Sequence, residues 1–290
     1  MKEILVFGGS GLVGSKFIEL CPDFKVTSPD VSEVDILDKN ALIREFEGVN
    51  PDLVINFAAY TAVEEAEKQK GDKNGICYRI NVIGAQNVAS VCRKFNKRLI
   101  HISTEYVFDG TKSKSPYTEE DKPNPINWYG QTKYFGEAAV LESGCQSTVV
   151  RICMPFSSHY ELKKDVARFF LEQLRAGNPI TAIEDQKITP TLVDDIAGAI
   201  KTVIASGTAD LYHVSSTSNT SPFEFAKLIA ETFGLDASYV KPVSLDEYNK
   251  NKTAKLLKYS WLDSSKFDRE FPGVLHTIDG GVRLFKSQTI

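Results

Sequence analysis

Residues 4 to 14 read Ile4-Leu5-Val6-Phe7-Gly8-Gly9-Ser10-Gly11-Leu12-Val13-Gly14. The first four are apolar and mostly β-branched or aromatic, which suits a short strand buried in a parallel sheet. They run straight into Gly8, Gly11 and Gly14 at G-x-x-G-x-x-G spacing, and an apolar helical pattern continues from Leu12 to Leu20. The first glycine permits a tight turn after the strand. The second lets a pyrophosphate approach backbone N–H groups at the helix start, and the third lets the helix lie close on the sheet. A glycine-rich turn without a ligand is the plainer alternative, but the strand-to-helix junction favours a dinucleotide.

Outward from this junction, strands alternate with helices. Phe24-Lys25-Val26-Thr27 reads as a second strand, Asn40 to Glu47 as a helix, and Asp52 to Ala59 as a buried strand ending in small residues. A long helix is expected from about Gly75 to Phe95, and a strand from Arg98 to Ser103. A helix beginning near Tyr129 and reaching about Leu141 comes next, then a strand from Ser147 to Ile152. This rhythm predicts an α/β fold, a doubly wound parallel sheet of the Rossmann type. Ligands of such sheets bind at the carboxyl ends of the strands, where Gly8 to Gly14, Ala58-Ala59 and Ser103-Thr104 fall.

Beyond Cys153 the regularity fades. Lys164 to Ala176 and Phe223 to Phe233 read as helices, as does Val193 to Ala205, with a strand at Leu211 to Val214. Residues 1–153 are therefore expected to form a dinucleotide-binding domain to which about 189–216 return. Residues 154–188 and 217–290 are expected to form a smaller C-terminal substrate-binding lobe. The charged run Asp246 to Lys258 reads as solvated surface, and Pro116 to Trp128 as a loop at the rim of a site.

Composition narrows the function classes. With 34 basic and 38 acidic side chains among 290 residues, nothing points to nucleic acid or an anionic membrane as partner. No apolar stretch approaches the roughly 20 residues of a membrane span, and the start lacks the pattern of a signal peptide. Five cysteines (Cys21, Cys77, Cys92, Cys145, Cys153) without a C-x-x-C read as reduced packing thiols of a cytoplasmic protein. The four histidines form no metal-ligand spacing, and no metal is expected.

Trp128 to Gly136 reads W-Y-G-Q-T-K-Y-F-G, which places Tyr129 and Lys133 four apart. On a helix such a pair shares a face. A free phenol titrates near pH 10, and a neighbouring ammonium is expected to pull it down towards neutrality. The pair then serves to move a proton at an oxygen whose carbon gains or loses hydride. Tyr160–Lys164 and Tyr248–Lys252 share the spacing, so context selects the first. Tyr248–Lys252 lies in the charged run, and Tyr160–Lys164 reads as the start of a lobe helix.

Taken in order, several stretches resemble one family: G-G-S-G-L-V-G, Asn56 to Glu67 (N-F-A-A-Y-T-A-V-E-E-A-E) and Arg79 to Val88 (R-I-N-V-I-G-A-Q-N-V). Ser103 to Gly110 (S-T-E-Y-V-F-D-G), Y-G-Q-T-K, and Asp185 to Thr191 (D-Q-K-I-T-P-T) complete the set. Over about residues 1 to 200 the chain resembles the extended short-chain dehydrogenase/reductases. Within them it is similar to the dTDP-4-dehydrorhamnose reductase family of sugar-nucleotide reductases.

The resemblance implies NAD(P)H-dependent reduction of a nucleoside-diphosphate 4-keto-6-deoxy sugar, in a monomer or homodimer. It implies that Thr104 hydrogen-bonds the substrate carbonyl, that Tyr129 is the general acid, and that Lys133 lowers its pKa and binds the nicotinamide ribose. Asn81 would support the lysine through a water. Cofactor contacts would come from Gly8, Ser10 and Gly11, from Leu12, Val13 and Gly14 at the helix start, and from Asp35 and Ile36 beside the adenine. Phe57, Ala58, Ala59 and Thr61 would lie along the ribose and pyrophosphate. Substrate contacts would come from Thr104, Glu105, Val107 and Phe108, together with Met154, Lys164 and Arg168.

The second strand ends Val26-Thr27-Ser28-Pro29, with Asp30 only after the proline. Small hydroxyls where NAD enzymes place an acid favour NADPH, with NADH still possible.

Departures from the family bear on the substrate. Sugar-nucleotide dehydratases carry Asp-Glu after the threonine, whereas Glu105 is followed here by Tyr106, which disfavours dehydration. Where relatives carry R-T-S-W-V-Y, this chain has Arg151-Ile152-Cys153-Met154-Pro155-Phe156. Its R-x-x-M-P-x-S-S pattern is similar to plant bifunctional UDP-sugar epimerase/reductases. The family's N-N-F segment is replaced by Lys164-Asp165-Val166, leaving Lys164 or Arg168 as diphosphate contacts. Two alternatives remain at this point: a sugar-nucleotide epimerase, and a non-catalytic NADP-binding regulator like that of methionine adenosyltransferase.

Overall fold

In the computed structural model, which describes residues 1–289, six parallel strands form the central sheet. They are β1 (Glu3–Phe7), β2 (Lys25–Thr27), β3 (Leu53–Asn56), β4 (Arg98–Thr104), β5 (Ser147–Ile152) and β6 (Leu211–Val214). The order across the sheet is β6-β5-β4-β3-β1-β2. Connections leave β1 in one direction and β3 in the other, so a crevice opens between their carboxyl ends.

Both faces of the sheet are covered, which is why its strands are apolar on both sides. Helices α1 (Leu12–Leu20) and α6 (Val193–Ser206) pack on Ile4, Val6, Ile55, Ile100 and Val150. On the opposite face, α2 (Lys39–Val49) and α3 (Ala85–Lys94) bury Leu5, Val54 and Leu99, joined by Val140 of α4 (Trp128–Glu142). The expected long helix at 75–95 is interrupted: Arg79–Gly84 forms a π-helical turn ahead of α3, a device that periodicity does not reveal.

Towards the carboxyl ends of β3 to β6 the α4-facing side turns polar. Asn56 pairs in register with His101, Ser103 with Arg151, and Arg151 with His213. All five side chains are buried. Arg151 closes a two-point ion pair with Glu137 of α4, at 2.9 and 2.7 Å. Removing one partner from a buried pair of this kind costs about 3–5 kcal/mol, so this contact fixes α4 on the sheet.

The remaining chain builds a second apolar cluster. Phe170, Leu171 and Leu174 of α5 (Val166–Arg175) pack with Phe225 and Ile229 of α7 (Pro222–Phe233) and Phe285 of α8 (Ile278–Gln288). Short parallel pairs, such as Ile180–Ile183 with Val240–Val243, complete it.

Two expectations for this part need correction. Phe267, in the segment expected to belong to the smaller lobe, packs on Tyr212 in the sheet cluster. The run Asp246 to Lys258 is not simply solvated surface: Ala254 and Leu257 are buried, and Asn127 Nδ2 donates to the Lys255 carbonyl at 3.3 Å. Charged neighbours mask two apolar anchors there.

Among the described residues no helix is long and apolar enough to cross a membrane. Nor do three or more His, Cys, Asp or Glu gather as a metal would need. The five cysteines are free; four are buried and Cys145 is half-buried.

Candidate active site

The turn after β1 is shaped by close approach. Gly8 has φ of +77°, and a Cβ there would lie 2.5 Å from the Ala58 nitrogen at the end of β3. A Cβ on Gly14 would lie 2.4 Å from the Gly8 carbonyl oxygen. Only glycine fits either position without moving backbone. Together they press α1 against the turn and join it to β3 at the crevice. Gly11, the N-cap of α1, supplies no side-chain cap, so the helix's first N–H groups are left for an anion.

Ser10, Leu12 and Val13 lie in the same turn. Phe57 N donates to the Phe7 carbonyl at 2.8 Å, while Ala58 N reaches Phe7 O and Asn56 Oδ1, both at 3.1 Å. Ala59 and Thr61 follow at the rim. Asp35 Oδ1 accepts from Leu37 N at 2.9 Å, and Ile36 packs on Gly84. The Ser28 hydroxyl fills the space beside Gly9. The Asp30 carboxylate is held by Ser32, at 2.9 Å from both its amide and its hydroxyl. Ser28, and not an acid, thus lies against the glycine turn.

Helix α4 starts where it does because its first N–H groups have partners. Asn127 Oδ1 accepts from Gly130 N at 2.9 Å, and Glu67 Oε2 from Trp128 N at 2.6 Å. Tyr129 and Lys133 then share the buried face.

The lysine's contact differs from expectation. Lys133 Nζ donates to the Ile102 carbonyl at 2.7 Å, and burial lowers its pKa to about 8, opposed by Glu137. Tyr129 is pushed above the usual phenol value by burial first and the Glu105 carboxyl second, with its hydrogen bond to Thr104 acting the other way. Lys133 is not among the groups that set it. Cause and direction are clear: a phenol enclosed beside a carboxyl stays protonated.

Thr104 ends β4 within reach of this phenol. Its hydroxyl donates to Glu105 Oε2 at 2.6 Å and accepts from Tyr106 N at 3.3 Å. Tyr106 packs edge-on against Tyr129, with ring centroids 5.5 Å apart. Across from them Met154 takes a φ of +40° at the end of β5, a conformation uncommon outside glycine and Asn.

Other sequence assignments land elsewhere. Asn81 clamps the loop after β3: its Oδ1 accepts from Tyr60 N at 2.8 Å, and its Nδ2 donates to Tyr60 O at 3.2 Å and Thr132 Oγ1 at 3.0 Å. It therefore braces α4 through Thr132 and makes no direct hydrogen bond to Lys133 among the described residues. Val107 and Phe108 are wholly buried with Tyr117, Cys153 and Trp261, leaving no surface for a substrate. Lys164 precedes α5 and is paired with Glu172 on the exterior. Arg168 is held by Asp165 at 2.7 Å and donates to the carbonyls of Tyr160 and Lys163. Both cations are thus committed to their own segment rather than turned to a diphosphate.

Tyr160 reaches the glycine turn. Its hydroxyl donates to the Ser10 carbonyl at 2.9 Å, 150 residues away in sequence. The pair Tyr160–Lys164 does not begin a helix; α5 starts at Val166, capped by Asp165. No local pattern signals such a long-range contact.

Comparisons with known proteins fit this geometry. The chain is 32% identical to dTDP-4-dehydrorhamnose reductase of Mycolicibacterium smegmatis over 253 residues, covering 85% of this chain and 74% of the relative. It is 28% identical to methionine adenosyltransferase 2 subunit beta of Rattus norvegicus, covering 84% and 75% of the two chains. The fold superposes with a TM-score of 0.91 on dTDP-4-dehydrorhamnose reductase of Bacillus anthracis, solved in complex with NADP, at 29% identity and 99% coverage of both chains. The model for the RmlD substrate binding domain matches residues 1–287, and with the turn, the threonine and the Tyr–Lys helix arranged as above, this chain belongs to that family.

Proposed function

We propose that this protein reduces the C4 ketone of a nucleoside-diphosphate 4-keto-6-deoxy sugar, with NADPH as the preferred reductant. The observation that carries this reading is the meeting of Thr104 and Tyr129 beside the Gly8–Gly14 turn, with the phenol held protonated by burial. A buried phenol above its usual pKa remains a competent donor, because the alkoxide formed by ketone reduction is a far stronger base. The raised pKa thus suits reduction.

The Gly8 cradle and the uncapped start of α1 fit a dinucleotide pyrophosphate. Ser28, in place of an acid, supports NADPH, in keeping with the NADP-bound relative from Bacillus anthracis. When bound, the nicotinamide supplies hydride to the carbonyl carbon. Tyr129 would donate a proton to the substrate oxygen, Thr104 would orient that oxygen, and Lys133 would hold the nicotinamide ribose. Residues 154–188 and most of 217–290 would read the sugar nucleotide, with Met154 at its edge.

A second reading follows from the likeness to methionine adenosyltransferase 2 subunit beta: NADP binding that serves a partner. Both are tested by NAD(P)H absorbance decay with freshly made dTDP- and UDP-4-keto-6-deoxyglucose, with and without a 3,5-epimerase, for wild type and Tyr129→Phe. Turnover in wild type that falls about 10²- to 10⁴-fold in Tyr129→Phe, with NADPH affinity kept, supports the reductase. Tight NADPH binding without decay on any ketone overturns it and favours the partner-serving reading.

A further inference from the structure

Thr104 and Glu105 are neighbours at the carboxyl end of β4, and both side chains are buried. At 2.6 Å the Thr104 hydroxyl donates to Glu105 Oε2, and Tyr129 lies close enough to feel both the Thr104 hydroxyl and the Glu105 charge. A hydroxyl has one proton and two lone pairs. While its proton lies on a carboxylate, Thr104 presents only an acceptor to its other neighbours and cannot also donate to a ketone. When the carboxyl is neutral, its own O–H donates to Thr104 Oγ1, and the threonine's proton turns towards the ligand side.

We propose that Glu105 is a positioning residue whose carboxyl proton sets the polarity of the Thr104 hydroxyl: neutral, it makes Thr104 a donor to a ketone oxygen; ionised, it makes Thr104 an acceptor for an alcohol. This rests on the keto-sugar reading of the same site. No covalent bond to carbon changes in the switch; the carboxyl proton is exchanged with water when the site is open.

The surroundings place this proton in the working range. Burial raises the Glu105 pKa to about 7, against hydrogen bonds from Thr104, the Cys153 thiol and the backbone at Glu105 and Met154. The titratable groups facing it are Tyr129 from α4, Tyr106 from the following turn and Cys153 from the end of β5. Burial raises all three, so they stay neutral across the same range. Lys133, lowered to about 8, is the site's other group that titrates near neutrality. A raised carboxyl is protonated below its pKa. The ketone-binding form therefore prevails below about 7 and is lost above it.

The test combines kinetics with infrared difference spectroscopy of the carboxyl band between pH 5.5 and 9, on wild type, Glu105→Gln and Thr104→Val. In wild type, kcat/KM for the ketone should fall about tenfold between pH 6.5 and 8. Glu105→Gln has no proton to lose, so its first break should move to that of Lys133. A wild-type break retained in Glu105→Gln would overturn the proposal.

The infrared arm needs no substrate. A carboxyl band titrating near neutrality should vanish in Glu105→Gln, and its midpoint should rise in Thr104→Val, which lacks the hydroxyl that stabilises the carboxylate. An absent band or an unmoved midpoint overturns the Glu105 assignment. If wild type turns over no ketone, the keto-sugar reading fails while the infrared result still decides the Thr104–Glu105 coupling.

Discussion

Two stretches meet where Tyr160 touches Ser10, and they are built on opposite principles. At Gly8 and Gly14, fit is decided by backbone against backbone, and an added methyl would lie within 2.5 Å of a main-chain atom. Between Tyr160 and Arg168, fit is decided by flexible charged side chains bonding their own segment. Backbone contacts are intolerant of any side chain, whereas an exposed charge pair such as Lys164 with Glu172 is weak and replaceable. The first stretch therefore tolerates few substitutions, and the second many. This chain has G-x-x-G-x-x-G in the first stretch and Lys164-Asp165-Val166 in the second.

Graded substitutions test this contrast. The largest effect belongs to Gly8→Ala, which meets both a positive φ and the Ala58 backbone. Strain and overpacking together should cost roughly 3 kcal/mol in urea unfolding and remove measurable NADPH binding. A loss below about 1 kcal/mol would break the comparison on its rigid side.

Next comes Tyr160→Phe, which deletes the single bond to Ser10 and leaves the turn's packing intact. About 1 kcal/mol and no more than about a fivefold change in NADPH dissociation constant are expected. A larger shift would show that this stretch shares the rigidity of the turn. Smallest is Lys164→Ala. Its pair with Glu172 is largely exposed, so stability should change by less than about 0.5 kcal/mol and KM by less than about twofold. A tenfold rise in KM would mean that the lysine swings onto the substrate, and would sharpen the role of this stretch.

What could be read from the chain follows the same divide. The Gly8 turn, the strand-helix rhythm and the Tyr129 helix were legible because each is a local pattern with a steric cause. So was Thr104, which falls at a strand end. Arg79–Gly84 was read as ordinary helix, because a π turn leaves no trace in apolar spacing. Val107 and Phe108 were carried over with their motif, yet the ring of Phe108 stacks on Tyr117 at 4.2 Å. Lys133 was expected to act on the phenol, and instead its ammonium lies on the Ile102 carbonyl. The desolvation that dominates Tyr129 depends on what encloses it, and Tyr106 and Glu105 do so only once the chain is folded.

The polar row Asn56, His101, Ser103, Arg151 and His213 has a consequence for how the chain finds its alignment. Side chains alternate between the faces of a strand, so β4 displaced by one residue would carry His101 and Ser103 into the apolar face. Ile100 and Ile102 would then lie beneath α4. In a uniformly apolar strand such a slip exchanges one greasy side chain for another at small penalty. Here the slip would break the buried contact between Asn56 Nδ2 and His101 Nδ1, at about 1–3 kcal/mol. The row works as a notched key: of the near-equivalent pairings open to six parallel strands, only one lets α4 settle with its charges matched, and that same pairing delivers Thr104 to Tyr129.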